Sequence, residues 1–421
     1  MSKNNLIALH CFGTEVGKIG FDEDRRASFF QYNPAFLKED KYHSLFPLVF
    51  RRIPQTQVFS KYNNDTFRGL PPAIADSLPD AFGNIIFKAW LENNKKALRQ
   101  ISPLEQLAYV GQRGMGALEY APAKEVAGNK TISIDEITTI VKQVLDHKQG
   151  TSANSLNHES LLNIFKIGTS AGGARPKILV SQNKATGTII PGDLIYSADH
   201  DHYLVKLAIE ESPAYSHELT EYVYYRIATA AGITMMPSKL IDDRHFATLR
   251  FDRQYGEKQH ILTATGMAGW DFMDPKVSSY ENLFELAIHL KLDHKDIEQL
   301  FRRMIFNLVF ANHDDHLKNH SFIYDPPTDK WSLAPAYDLT YSLNPLLNYT
   351  QVSRALSVNG KRTSITLSDV MKIAGMFTVK NATAIIAEIN AATDLWDVYA
   401  KEQHIPINAA NTIKKHFMVL E

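Results

Sequence analysis

The polar run NHDDHLKNHSF, Asn312 to Phe322, follows directly on the apolar, helix-compatible segment IEQLFRRMIFNLVFA and holds Asp314 and Asn319 five residues apart. Next comes SFIYDPPTDKWSL, which reads as strand, Pro-Pro-Thr-Asp turn and strand, and then Asp338 inside a Tyr-Asp-Leu triplet. No other feature constrains the fold as tightly. A helix must end, a loop must turn back on itself carrying a carboxylate and an amide, and a hairpin must deliver a second carboxylate.

Three chemistries compete for that loop. His313, His316 and His320 offer imidazoles, and Asp314 and Asp315 offer carboxylates, enough donors for zinc. The spacing argues against zinc, since no metalloprotease pattern such as H-E-x-x-H is present. A solvated helix C-terminus also favours Asn, His and Lys, but two adjacent aspartates oppose the dipole there. The third reading is phosphoryl transfer. Asp314 and Asn319 have the separation of Asp and Asn in the protein-kinase catalytic loop, H-R-D-x-x-x-x-N. In that chemistry the Asp orients the acceptor hydroxyl or takes its proton, while the amide oxygen reaches the metal held by the same phosphates. The pair alone is a weak signal, so the order of the remaining parts decides.

Those parts occur in order. Asp338 stands where kinases place a metal-binding Asp beyond a hairpin, and is otherwise a turn or N-cap aspartate. Upstream, HDHYLVKLA is strand-like and sets Lys206 among apolar neighbours, as a phosphate-contacting lysine requires. The following helix, HELTEYVYYRIATAA, offers Glu218 and Glu221 on roughly one face as partners for that lysine, and spacing does not choose between them. Before both lies GTSAGGARPK, residues 168–177, a Gly-rich stretch suited either to a turn or to backbone approach to phosphate, without Walker or G-x-G-x-x-G spacing.

Composition sets the frame. A chain of 421 residues with 44% hydrophobic content buries sizeable cores and suggests two or three domains. With 45 Lys+Arg against 46 Asp+Glu it is not a polybasic nucleic-acid binder. The one cysteine, Cys11, excludes an internal disulfide framework and fits a reducing cytosol. No apolar run reaches membrane-spanning length and the N-terminus lacks a signal-peptide core, so a soluble, cytoplasmic protein is expected. Strand-like LIALHCF, VGKIGF and ASFFQY precede a helix-compatible stretch from about Leu78 to Leu98, and the polar segment His147 to Ser160 reads as a linker. The expected divisions are residues 1–150, a strand-rich 151–265 and a helical 266–421.

LPDAFGN, VGQRGMGALEY, GTSAGGARPK, YLVKL, TEYVYYRIATAAGI, LRFDR, NHDDHLKNHSF and PAYDL together resemble the HipA-like bacterial serine/threonine kinases, toxins of HipA/HipB-type toxin–antitoxin systems. The resemblance covers nearly the whole chain. It implies an α+β, two-lobed protein-kinase-like fold with an added N-terminal α+β subdomain and a largely helical C-terminal lobe. It also implies ATP and Mg²⁺ as co-substrates and a serine or threonine of a protein as acceptor. By position, Lys206 would contact ATP phosphates, Asp314 would be catalytic, Asn319 and Asp338 would hold Mg²⁺, and Glu221 would sit at the family's helix motif. Ser170, with Thr169 beside it, stands where the family carries an inhibitory autophosphorylation site. The loop departs from some members' GAQEK but keeps Lys177 at its end. LRFDR resembles the segment joining the lobes, where backbone groups meet adenine, so Phe251 either lies at the nucleotide or is core. A small helix-turn-helix antitoxin would supply the DNA contact, and the protein target is left open. A small-molecule kinase and a non-catalytic regulatory binding protein are the rival readings.

Overall fold

The structure, a computed structural model, describes residues 6–79, 81–93, 101–124, 133–148, 175–192, 197–209, 214–347 and 352–421. Two compact units make up the chain. The first gathers Met1–Ile209, Ala247–Leu262 and Pro326–Asp329, and the second Glu210–Phe246, Thr263–Asp325 and Lys330–Glu421.

In the first unit, β1 (Leu6–Cys11), β2 (Thr14–Asp22), β3 (Ala27–Tyr32), β4 (Gln57–Val58) and β5 (Leu118–Ala121) form an antiparallel sheet in the order β4-β3-β2-β1-β5. The alternating side-chain direction of a strand explains its pattern: Ile7, Leu9 and Cys11 of β1 are buried, whereas Ala8 and His10 between them are half-buried. Helix α1 (Ala81–Asn93) lies within the stretch expected to be helical, and α2 (Pro103–Val110) starts on Ser102, whose hydroxyl accepts the Glu105 amide. The linker expected at His147–Ser160 begins in the last turn of α3 (Ile134–Lys148), and its residues from 149 on lie outside the described residues.

A second set of strands in this unit comprises β6 (Lys177–Asn183), β7 (Ile189–Pro191) and β8 (His200–Lys206), with β6 paired antiparallel to both others. Ile178, Leu179 and Val180 are buried in succession, so both faces of β6 are covered.

The second unit is mainly helical, built on α4 (His217–Ala230), α5 (Tyr280–His289), α6 (His294–Val309), α7 (Leu367–Met376), α8 (Ala382–Ala391), α9 (Leu395–Glu402) and α10 (Ile407–Lys415). Helix α6 carries the apolar segment that precedes NHDDH, with Phe301, Met304, Ile305 and Leu308 buried. Its last carbonyls, which no helical amide reaches, find partners elsewhere. The Met418 amide donates to the Val309 carbonyl at 2.9 Å, and the Tyr224 hydroxyl of α4 donates to that of Phe310 at 2.6 Å. Ala311 then turns left-handed at φ 53° and the helix stops. The expected hairpin follows, Ser321–Asp325 against Lys330–Leu333 in antiparallel register. Among the described residues no helix is long and apolar enough to cross a membrane.

Candidate active site

Between α6 and the hairpin, residues Asn312 to His316 have no regular structure, and Leu317–Asn319 form one 3-10 turn. That turn brings Asn319 back to the start of the loop. Its side-chain NH₂ donates to the Asp314 carbonyl at 2.9 Å, which directs the amide oxygen the other way. Asp314 is exposed.

Asp315 faces inward and is 1% exposed. Its Oδ2 accepts the Tyr280 hydroxyl at 2.7 Å and an Arg354 NH₂ at 3.4 Å, and its Oδ1 accepts the Leu356 amide at 3.4 Å. The Asn307 amide donates to the Tyr280 oxygen at 2.9 Å, so Tyr280 is a neutral link, its hydroxyl held far above the ordinary range by burial and by Asp315. Asn312 donates to the Asn307 Oδ1 at 3.0 Å and to the Asp338 carbonyl at 3.3 Å, joining Asp338 to the same network. Asp338 is half-buried and left-handed at φ 54°.

The histidines take no metal-binding arrangement: among the described residues, no cluster of three or more ligating side chains includes His313, His316 or His320. Burial, reinforced by Arg354, pushes His313 down to about 4, and burial does the same to His320. Such weakly basic rings are poor proton acceptors, and Asp314 is the exposed carboxylate of the loop. The oxygen donors Asn319 Oδ1 and Asp338 carboxylate match the ligand preference of a hard cation such as Mg²⁺ rather than of zinc.

In the first unit, Lys177 and Lys206 face each other across β6 and β8, directly opposed in register and 4% and 6% exposed. Opposed residues share a face, so two ammonium groups are concentrated on one side of these strands. That is an arrangement suited to a polyanion. Phe251 is 9% exposed, and its carbonyl accepts the Gln254 amide at 3.2 Å.

Its neighbours in LRFDR have a role that was not anticipated from the sequence. Asp252 accepts from Arg250 through Nε at 2.9 Å and NH₂ at 2.8 Å, from Arg253 at 2.8 Å and from the Gly116 amide at 2.8 Å. Arg253 also donates to the carbonyls of Gly114 and Gly116. Burial alone would raise the Asp252 carboxyl, but the two guanidinium groups hold it well below the usual carboxylate range. LRFDR and VGQRGMG, 136 residues apart at the Gly116–Asp252 bond, are therefore one buried ionic clamp. Gly116 is required there: at φ +76° its amide meets Asp252, and a Cβ would stand 3.1 Å from Ile261.

Asp314 and Asn319 thus share one hydrogen-bonded loop in the second unit, to whose Asn312 the Asp338 carbonyl is bonded, with Glu221 buried on α4, whereas Glu218 in its first turn is half-buried. Lys177, Lys206 and Phe251 belong to the first. Ser170 and Thr169 lie outside the described residues.

Comparison with known proteins follows the same lines. A family model described as HipA-like C-terminal domain matches residues 169–396, and one described as HipA N-terminal domain matches residues 7–121. A Haemophilus influenzae protein named "Putative kinase" is 28% identical over 199 residues, covering 40% of this chain and 56% of that protein. A Sinorhizobium fredii protein named "Putative kinase Y4dM" is 25% identical over 183 residues, covering 42% and 43%. The chain spans about half the length of these curated relatives. A chain of the solved Shewanella oneidensis MR-1 toxin–antitoxin complex of HipA, HipB and operator DNA matches with a TM-score of 0.63 at 14% identity, over 97% of this chain and 94% of that one. The α+β, kinase-like fold is shared with it.

Proposed function

The chain belongs to the HipA-like family, and from that membership we propose that it is an ATP- and Mg²⁺-dependent kinase of protein serine or threonine, acting as the toxin of a toxin–antitoxin pair. The observation that carries the reading is the division of labour in the loop. Asp314 is exposed and tied by its backbone to Asn319, while Asp315 is spent on buried contacts.

In this mechanism Asp314 orients the acceptor hydroxyl and takes its proton as the oxygen attacks. Asn319 and Asp338 would hold Mg²⁺, which when bound neutralises phosphate charge. Lys206, with Lys177 opposite it, contributes positive charge for the triphosphate, and Glu221 is the glutamate proposed to orient Lys206. Phe251 is proposed to adjoin the adenine through the backbone of its segment. Catalysis of this kind rests on positioning and charge.

The reading extends to regulation and partners. Ser170 is proposed as the site of inhibitory autophosphorylation, to be tested by peptide mass analysis after incubation with ATP and Mg²⁺ beside Asp314→Ala. The solved relative was crystallised with HipB and operator DNA. We propose that this chain likewise pairs with a small helix-turn-helix protein that makes the sequence-specific DNA contact, in keeping with a formal net charge of −1. Sequence-specific operator binding by this chain alone would contradict that. Cytoplasmic residence and modules at 1–150, 151–265 and 266–421 belong to the same proposal, the modules being open to limited proteolysis.

The deciding experiment compares phosphorylated proteins in cells expressing wild type or Asp314→Ala. Wild-type-dependent serine or threonine phosphorylation is the expected result. Transfer only to pooled metabolites, in a parallel assay, would make it a small-molecule kinase.

A further inference from the structure

Arg354 lies beyond Asp338 in the chain, is 6% exposed, and spends one terminal NH₂ on three acceptors around the loop. It donates to the carbonyls of Asn307 at 2.8 Å and Asn312 at 2.6 Å, and to the Asp315 carboxylate at 3.4 Å. The next two residues continue along the same loop. The Ala355 amide donates to the His313 carbonyl at 2.8 Å and the Leu356 amide to Asp315 at 3.4 Å. Residues 354–356 therefore occupy the acceptors of 312, 313 and 315 in turn, and Asp314 is the position they skip.

We propose that Arg354 is a positioning residue for phosphate transfer: it aims the Asp314 carboxylate by clamping the loop on both sides of it, with Asp315 as the grip. The proposal rests on the kinase reading of the site. Arg354 is itself held from outside, because Arg362 donates to the Arg354 carbonyl at 3.0 Å and to those of Pro275 and Ser278 at 2.7 and 2.8 Å. The guanidinium matters chemically. All three contacts come from one Nη2, whose two hydrogens lie in the guanidinium plane, so its donor directions are fixed by that plane, whereas those of an ammonium of equal charge on a more flexible stem rotate. Tyr280 grips Asp315 from the opposite chain direction, 35 residues upstream.

A clamp that only stabilises the fold differs measurably from one that aims Asp314. The first lowers the amount of folded enzyme and leaves kcat per folded molecule and the KM for ATP alone. The second lowers kcat, because displacing a reacting group by about 1 Å costs on the order of 100-fold, while nucleotide binding is untouched.

The test uses the full chain as wild type, Arg354→Lys and Tyr280→Phe, with kcat normalised to folded protein, KM for ATP, and hydrogen exchange of peptides covering residues 310–320 without nucleotide. For Arg354→Lys, kcat is expected to fall about 100-fold with KM for ATP within about three-fold. Exchange should rise in the loop peptides and stay constant elsewhere. Tyr280→Phe keeps the buried ring and is expected to lower kcat about ten-fold in the same pattern, and it decides the matter if Arg354→Lys does not fold. Wild-type kcat per folded molecule in Arg354→Lys, or in Tyr280→Phe where that variant decides, overturns the proposal. If the wild type transfers phosphate to nothing, the kinase reading fails on its own. The clamp is then judged by exchange, and unchanged loop protection in both variants overturns it.

Discussion

Asp314 and Asp315 are neighbours in the chain and opposites in environment: Asp314 is exposed, while Asp315 is 1% exposed and accepts the Tyr280 hydroxyl at 2.7 Å. Their variants should fail in different ways. Asp314→Asn is expected to lower transfer by about 100-fold or more while shifting the melting temperature by less than about 2 °C, since the side chain is exposed and Asn is nearly isosteric with Asp. Asp315→Asn leaves the Arg354 guanidinium buried without its counter-charge and is expected to cost about 3 kcal/mol of stability. Denaturant unfolding beside a transfer assay separates the two. A dead but fully stable Asp315→Asn with active Asp314→Asn would reverse the assignment.

The metal assignment predicts a loss of dependence rather than only a loss of rate. Wild-type affinity for ATP should fall at least about ten-fold on chelation of Mg²⁺, and the double variant Asn319→Ala with Asp338→Ala should bind ATP weakly whether or not Mg²⁺ is present. Calorimetry with and without EDTA reads both.

The opposed lysines give a third expectation. ATP with Mg²⁺ should raise the wild-type melting temperature by mass action, and most of that increment should vanish in Lys206→Met, with a smaller loss in Lys177→Met. An increment retained in full in Lys206→Met would remove that lysine from the nucleotide site.

Acid should weaken the first unit through His260. This imidazole is fully buried, donates through Nε2 to the Leu45 carbonyl at 3.3 Å, and is pushed down by burial from its ordinary 6.5 to about 3. The unfolded chain therefore takes up the proton first, so stability is complete above 6.5 and is lost as pH falls from there toward 3. Urea midpoints at about pH 7.5 and about pH 5 should differ less in His260→Gln than in wild type.

Local order carried much of this site in the sequence. The separation of Asp314 from Asn319, the hairpin after them and the position of Asp338 are short-range features, and each is present in the fold. Which aspartate faces solvent was not legible, because Tyr280 and Arg354, 35 and 39 residues away, decide it. The difference in burial between Glu218 and Glu221 had the same character. Their spacing puts them on one helical face, and burial of Glu221 depends on packing that no spacing records. In LRFDR the sequence pointed to the segment joining the lobes and to Phe251, not to the three charged side chains around it. Their partners, Gly114 and Gly116, lie in a distant stretch with no local signal linking it to LRFDR.

That clamp bears on how such chains can be recombined. Cutting the chain near residue 151 takes Gly114 and Gly116 away, leaving Arg253 without two carbonyls and Asp252 without an amide. The ion pairs within LRFDR survive such a cut, but each lost hydrogen bond to a charged group contributes about 1.5–3 kcal/mol, a large share of a domain's stability. A cut near residue 151 therefore divides one compact unit rather than separating two. A foreign N-terminal piece grafted onto this chain has to supply two carbonyls and an amide where Gly114 and Gly116 stand, so a change in one stretch is constrained by the other, 136 residues away.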